Sequence, residues 1–134
     1  METEIKLRKT IESDLETLFE FQLDDEANYL AAFNTTNYND KKAYLEKFKK
    51  LLKDPTVNNQ TILLGNQIVG SISKFVMFGD SEITYWLDKK NWGQGFATNA
   101  LQLFLSIEIS RPLFGRVAYD NYGSQKVLER CGFI

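Results

Sequence analysis

Residues 92–98 read Trp92-Gly93-Gln94-Gly95-Phe96-Ala97-Thr98 and form a glycine loop between a strand pattern at 82–87 and a helix pattern at 99–109. The first N–H groups of a helix have no intrahelical partners, and glycines allow a backbone to approach a phosphate closely. The junction therefore predicts a site at which main-chain N–H groups bind an anion such as a pyrophosphate.

The overall composition predicts a single globular domain over residues 1–134. Hydrophobic residues make up 43% and charged residues 25% of the chain, which is typical of a globular protein. No apolar run approaches the roughly 18 residues that span a bilayer, so we expect no membrane association. The acidic N-terminus lacks the apolar segment of a secretory signal, and we expect a cytoplasmic protein.

The absence of histidine restricts the chemistry. The chain has one cysteine, Cys131, and no histidine, so it has no internal disulfide and we expect no metal site. Any catalytic base must be another residue type. Sixteen basic and eighteen acidic residues give a net charge of −2 without a long basic block, so we expect no nucleic acid as the main ligand.

The start of the chain predicts a strand and a helix. Residues 5–8 alternate apolar and charged side chains, and Ser13 or Asp14 is placed to cap a helix. The apolar positions of this helix repeat at intervals of three and four, and they are Leu15, Leu18, Phe19 and Leu23.

A second amphipathic helix follows a cap at Asn39 or Asp40 and stops at Asp54-Pro55. Five lysines among positions 41–50 lie opposite its apolar stripe, and we interpret them as a solvated face. The stripe comprises Tyr44, Leu45, Phe48, Leu51 and Leu52.

The middle of the chain predicts an antiparallel meander. Strand patterns at 61–64, 68–78 and 82–87 are joined by turns at 65–66 and 79–80. The following helix repeats apolar residues at helical spacing, which are Ala97, Ala100, Leu101, Phe104 and Leu105.

The last part predicts a strand, a turn and a short helix. Residues 113–119 form a strand pattern after the helix, so this strand is expected to run parallel to the strand at 82–87. A turn at 120–123 precedes a helix at 124–130, one face of which carries Val127, Leu128 and Cys131.

Two motifs resemble the GCN5-related N-acetyltransferases (GNAT), in particular the branch that resembles ribosomal-protein N-terminal acetyltransferases. The first motif is Tyr85-Trp86-Leu87 with residues 92–98, and the second covers residues 120–133. Neither the Rossmann nor the P-loop spacing fits the glycine loop. The resemblance implies an α/β (α+β) fold with a mixed, mostly antiparallel central sheet flanked by helices.

The resemblance further implies acetyl-coenzyme A as the acetyl donor and no metal. In this family the pantetheine lies between two splayed strands and the pyrophosphate lies on the glycine loop. Tyr85, Trp86 and Leu87 would border the pantetheine, Asn121 would bond to it, and Ser124 would lie near the thioester sulfur. The residues that would hold the pyrophosphate, mainly through main-chain N–H groups, are Gly93, Gln94, Gly95, Phe96, Ala97 and Thr98.

Structural roles are the alternative for several of these residues. Asn121 suits a turn, Ser124 a helix cap, and Trp86 and Trp92 a core. Many relatives have a tyrosine, which can protonate the departing thiolate, at the position where this chain has Leu128. In this chain the proton would come from Ser124 or water, or the thiolate would depart unassisted.

Members of the family usually continue for two more strands beyond the position of Phe133. We therefore expect the last two strands of the family fold to be absent from a C-terminally truncated domain. One hypothesis is a homodimer or a poorly stable monomer, because an uncovered sheet edge favours pairing. The other is a shortened gene product.

Acetyl transfer to an amine requires a proton acceptor, and we select Glu82 because it lies on the strand beside the expected thioester. The alternative for Glu82 is a solvated residue after the turn at 79–80. The predicted acceptor is a small-molecule amine or a peptide N-terminal amine, which residues 24–26 could attract unless they form a solvated acidic loop. The alternative function is a non-catalytic acyl-coenzyme A binding module or an inactive remnant.

Overall fold

The computed structural model describes residues 4–21, 40–77, 79–88, 95–109, 111–115 and 122–133. The described strands form one sheet in the order β1-β2-β3-β4-β5, which is antiparallel except for the parallel β4–β5 pair. The predicted mixed, mostly antiparallel sheet with flanking helices is therefore confirmed. The elements are β1 (Ile5–Lys9), a 3-10 turn (Glu12–Asp14), α1 (Leu15–Phe21), α2 (Lys41–Lys53), β2 (Asn58–Leu64), β3 (Gln67–Met77), β4 (Asp80–Leu87), α3 (Phe96–Ile107), β5 (Phe114–Gly115) and α4 (Tyr122–Arg130).

Local signals in the sequence account for α2. The Asp40 carboxylate accepts a hydrogen bond from the N–H of Ala43 at 3.1 Å, and Asp54 ends the helix. All five lysines among positions 41–50 are exposed. The predicted cap, stop and solvated face of this helix are thus confirmed.

Several predicted boundaries differ from the structure, among them those of α3, α4 and β5. Helix α3 begins at Phe96 because Gly95 adopts a left-handed φ of 79° and becomes the N-cap. Helix α4 begins at Tyr122, so part of the predicted turn at 120–123 is helical. In the predicted strand at 113–119, β5 occupies 114–115, and 116–119 lie outside the described residues.

The first helical segment begins before the predicted caps at Ser13 and Asp14. A 3-10 turn precedes α1, and its N-cap is Ile11, which makes no side-chain cap bond. The Asp14 carboxylate instead points back and accepts hydrogen bonds from Ile11 N at 3.0 Å, Thr61 Oγ1 at 3.0 Å and the Arg8 guanidinium. Asp14 is therefore a link between sheet and helix.

The two faces of the sheet carry different layers. Ile62 belongs to the core beneath α3 and α4, whereas its neighbour Thr61 bonds to Asp14 before α1. Adjacent strand residues point to opposite faces, so α1 lies on the face opposite α3 and α4. The core beneath α3 and α4 contains Ile5, Ile62, Val69, Ile72, Ile83, Leu87, Ala100, Leu101, Phe104 and Leu128.

Helix α1 packs on the other face together with α2. Leu15, Leu18 and Phe19 are buried, as their spacing predicts, whereas Leu23 and residues 24–26 lie outside the described residues. The rings of Phe19 and Tyr44 are 5.1 Å apart. Burial raises the pKa of Tyr44, so this phenol remains neutral inside the contact between the two helices.

Candidate functional site

The first turn of α3 provides main-chain N–H groups for an anion. Its first described intrahelical bond runs from Asn99 N to Gly95 O at 3.1 Å. The N–H groups of residues 96–98 therefore precede the helical ladder. No acidic residue lies in this turn, and the helix dipole favours negative charge there. The geometry suits a phosphate or pyrophosphate.

Thr98 adds a side-chain group to this turn. Its Oγ1 is buried and has no hydrogen-bond partner within the described part of the chain. A buried hydroxyl normally has a partner, so this atom fits a turn that receives an oxygen-rich ligand.

Cys131 connects the two helices at this point. Its Sγ donates to the carbonyl oxygen of Thr98 at 3.8 Å, so the end of α4 contacts the first turn of α3. Burial raises the pKa of the Cys131 thiol. The thiol therefore stays protonated near neutral pH and is a structural group rather than a nucleophile.

The side chains of β4 divide between the two faces. Ile83 and Leu87 belong to the core beneath α3 and α4, and Tyr85 packs against it. Glu82, Thr84 and Trp86 therefore point to the opposite face. The three side chains predicted to border the pantetheine thus lie on both faces of the sheet. These residues have only the main chain of β4 in common.

Trp86 is half-buried and lies outside the main core. Its Nε1 is buried and has no hydrogen-bond partner among the residues described. Thr84, the neighbouring side chain on the same face, is exposed. The face of β4 opposite α3 is therefore accessible beside a tryptophan.

Glu82 is buried, with 1% of its surface exposed. The alternative prediction of a solvated residue after the turn at 79–80 is therefore wrong. Glu82 pairs with Phe75 of β3 and with Phe114 of β5. Sequence reasoning missed these two aromatic neighbours, because they are separated from Glu82 along the chain and meet it through strand pairing.

Strands β4 and β5 meet at the start of β4. Their described pairing consists of Glu82 with Phe114 and Ile83 with Gly115, which confirms the predicted parallel arrangement. A side-chain Cβ at Gly115 would contact Leu128 of α4 at 2.9 Å. The glycine thus permits close packing of α4 against this meeting point.

Several predicted site residues lie outside the described residues. These include Gly93 and Gln94 of the loop, Asn121 before α4, and Trp92. Ser124 is the third residue of α4 and not the residue before it, so its alternative as the helix cap is wrong. Its side chain is outside the described set, and the roles of all predicted site residues stay predictions.

The structure thus contains a helix start suited to an anion, a parallel strand pair and a buried acid. A family model described as "Acetyltransferase (GNAT) domain" matches residues 4–134. The chain belongs to this family, which confirms the predicted family and the predicted class of acyltransferase. Comparison with curated proteins gives no significant match.

Solved structures with the same fold include three acetyltransferases. RimL, the ribosomal L7/L12 alpha-N-protein acetyltransferase in complex with coenzyme A, is 21% identical over 97% of this chain and 80% of its own, with a TM-score of 0.76. The ribosomal-protein-S5-alanine acetyltransferase from Vibrio fischeri is 18% identical over 100% and 82%, with a TM-score of 0.75. The aminoglycoside acetyltransferase AAC(6')-Ib with coenzyme A is 17% identical over 98% and 84%, with a TM-score of 0.80.

Two further observations concern membrane-spanning helices and metal sites. No helix in the described ranges has the length and hydropathy of a membrane-spanning segment. Among the described residues, no cluster of three or more His, Cys, Asp or Glu side chains could hold a metal ion.

Proposed function

We propose that the chain transfers the acetyl group of acetyl-coenzyme A to a primary amine by direct attack in a ternary complex. Two structural features together support this proposal: the first turn of α3 and the parallel pairing of β4 with β5. The helix start offers N–H groups to a pyrophosphate, and the strand pair carries Glu82 on the face away from α3. Two relatives of the same fold were solved with coenzyme A.

The donor site binds the charged pyrophosphate of acetyl-coenzyme A mainly through main-chain N–H groups. Gly95, Ala97 and Thr98 direct N–H groups to the pyrophosphate, together with Gly93 and Gln94 of the preceding loop. Thr98 Oγ1 supplies a further hydrogen bond. Asn121 and the main chain of residues 85–87 hold the pantetheine arm.

The transfer forms one bond and breaks another. The amine nitrogen bonds to the thioester carbonyl carbon as the carbon–sulfur bond breaks. The amine proton passes to Glu82, directly or through a water. The sulfur then receives a proton from Ser124 or water and leaves as the thiol. Main-chain N–H groups of β4 stabilise the oxyanion.

Calorimetric titration of the protein with acetyl-coenzyme A tests the donor site. We expect saturable binding with a micromolar dissociation constant, followed by amine-dependent release of thiol. Binding without release for a broad panel of amines would favour the non-catalytic acyl-coenzyme A module. Absence of binding by the folded protein would contradict the proposal.

The substitution Glu82→Gln tests the base. Glutamine has nearly the same volume but cannot accept the proton, so we expect turnover to fall by about 100-fold or more. Affinity for acetyl-coenzyme A should not change. Glu12→Gln makes the same chemical change at an exposed position and serves as the control. Unchanged turnover in Glu82→Gln would remove this residue from the mechanism.

A further inference from the structure

Helix α3 presents an exposed face without a charged side chain. Its 12 residues include no Asp, Glu, Lys or Arg, whereas α1, α2 and α4 each contain at least two charged residues. Solvated helix faces usually carry charge, whereas the cores of protein interfaces are depleted of it. The exposed residues of α3 are therefore typical of an interface, and they are Asn99, Gln102, Leu103, Ser106 and Ile107.

The same face carries an apolar stripe. Leu103 is 40% exposed and Ile107 is 51% exposed, and residues four positions apart are neighbours on a helix surface. Ile109, two residues beyond the helix, is 85% exposed. These are three of the six large hydrophobic side chains that are exposed in the described part of the chain. Exposed apolar surface is thus concentrated at the middle and end of α3.

A groove lies beside this stripe, between the start of β1 and α3. Its volume is about 390 Å³, and its described lining residues are Glu4, Ile5, Asn99, Gln102, Leu103 and Ser106. Because the exposed Leu103 borders this groove, the surface has a projection next to a recess. A two-fold axis can place the projection of each copy of such a surface opposite the recess of the other. The surface can therefore be complementary to itself.

We propose that α3 and the adjacent groove form a contact between two copies of this chain that are related by a two-fold axis. The polar groups on this surface favour a second copy as the occupant. The side-chain amides of Asn99 and Gln102 each contain donors and an acceptor, so either amide can pair with its own equivalent. Among the groove-lining residues Glu4 alone is charged, so a strongly charged partner would find little opposite charge here.

Helix α2 shows the contrast. Its six lysines and one glutamate give it a charge of +5, so two copies of that face would repel each other across an axis. The uncharged face of α3 avoids this repulsion. The contact uses residues 99–107, which follow the first turn at 96–98, so both copies can still bind acetyl-coenzyme A. The inference does not depend on acetyl transfer.

Sedimentation velocity of the protein from about 1 to about 300 μM measures self-association. We expect a reversible equilibrium between monomer and dimer. The double substitution Leu103→Lys and Ile107→Lys should raise the dissociation constant of the dimer by roughly 100-fold or more, because it places charges inside the contact. Val76→Lys is the control, since Val76 is 48% exposed but lies on β3, and it should leave the dissociation constant unchanged.

Gln102→Glu changes the charge of this surface with almost no change in side-chain size. It adds one carboxylate to each copy in the groove that Glu4 also lines. We expect the dissociation constant to rise roughly 10-fold at low ionic strength. Salt at about 0.5 M should restore most of the affinity, because it screens the repulsion. Thermal melts establish that each variant is folded.

Two results would overturn the proposal. A wild-type protein that stays monomeric over the whole concentration series would show that the α3 face serves a partner other than this chain. A dimer whose dissociation constant is within about 3-fold of wild type in the double-lysine variant would show that another surface pairs. Neither result bears on acetyl transfer, which the titration with acetyl-coenzyme A tests separately.

Discussion

Replacing Asp14 with asparagine should destabilise the protein, because Asp14 joins β1, β2 and the start of α1. Its oxygens accept hydrogen bonds from Arg8 Nη1 at 2.7 Å and Nη2 at 2.8 Å. Oδ2 also accepts from Ile11 N and Thr61 Oγ1, each at 3.0 Å. Asparagine keeps the size of the side chain but removes the charge and turns one acceptor into a donor that faces other donors.

The magnitude follows from the exposure of the two charged partners. Removing one partner of a fully buried ion pair costs about 3–5 kcal/mol. The Asp14 side chain is 3% exposed but that of Arg8 is 40% exposed, so water can solvate the guanidinium left behind. We therefore expect a loss of about 2–3 kcal/mol in the free energy of unfolding. For 134 residues this corresponds to a decrease of about 7–11 °C in Tm.

The effect should depend on pH. Burial disfavours the charged form of Asp14, but the hydrogen bonds from Arg8, Ile11 and Thr61 outweigh it and hold the pKa of the carboxyl below its usual value. A carboxyl with a lowered folded-state pKa stabilises the protein above the unfolded-state pKa of about 4. This contribution is lost as the pH falls through the folded-state pKa, so wild type and Asp14→Asn should converge in acid.

Urea unfolding followed by circular dichroism, at pH 7 and at several values below pH 4, measures both effects. Asp80→Asn is the control, because it makes the same change at an exposed position and should alter stability by less than about 0.5 kcal/mol. The reasoning fails if Asp14→Asn stays within about 0.5 kcal/mol of wild type at pH 7, or if the difference does not vary with pH.

Two further substitutions test a close contact between strands and a helix cap. Gly70→Ala should lower the free energy of unfolding by at least about 2 kcal/mol and weaken the β3–β4 pair, because the added Cβ would collide with the carbonyl oxygen of Trp86. A loss below about 0.5 kcal/mol in urea unfolding would contradict this contact. Asp40→Ala should cost about 0.5–2 kcal/mol by removing the cap on Ala43 N. Asp40→Asn should retain most of that stability, and equal loss in both variants would show that the cap is not the cause.

The sequence predicted the local parts of the fold because their signals are local. The cap at Asp40, the stop at Asp54 and the turns between β2, β3 and β4 each depend on a few adjacent residues. The left-handed Gly95 likewise marks the start of α3, although the helix begins three residues earlier than the predicted start at position 99.

The composition of the candidate site was predictable only in part. The glycine loop and the resemblance identified the residues at the start of α3 and on β4, and Glu82 was selected as the base. The aromatic neighbours of Glu82 were not predicted, because Phe75 and Phe114 reach it only through the register of three strands. A shift of one residue in that register would place these rings on the other face.

By itself the sequence determined the order and type of the elements, the family and the approximate start of α3, since periodicity, capping residues and glycines act over a few residues. Tertiary structure decided which groups meet. Asp14 was expected to cap a helix, but it bonds to Thr61, which is 47 positions away. Glu82 was open to a solvated alternative, but packing buries it to 1% exposure. Both outcomes depend on strand pairing and burial between distant segments, which no short stretch of sequence encodes.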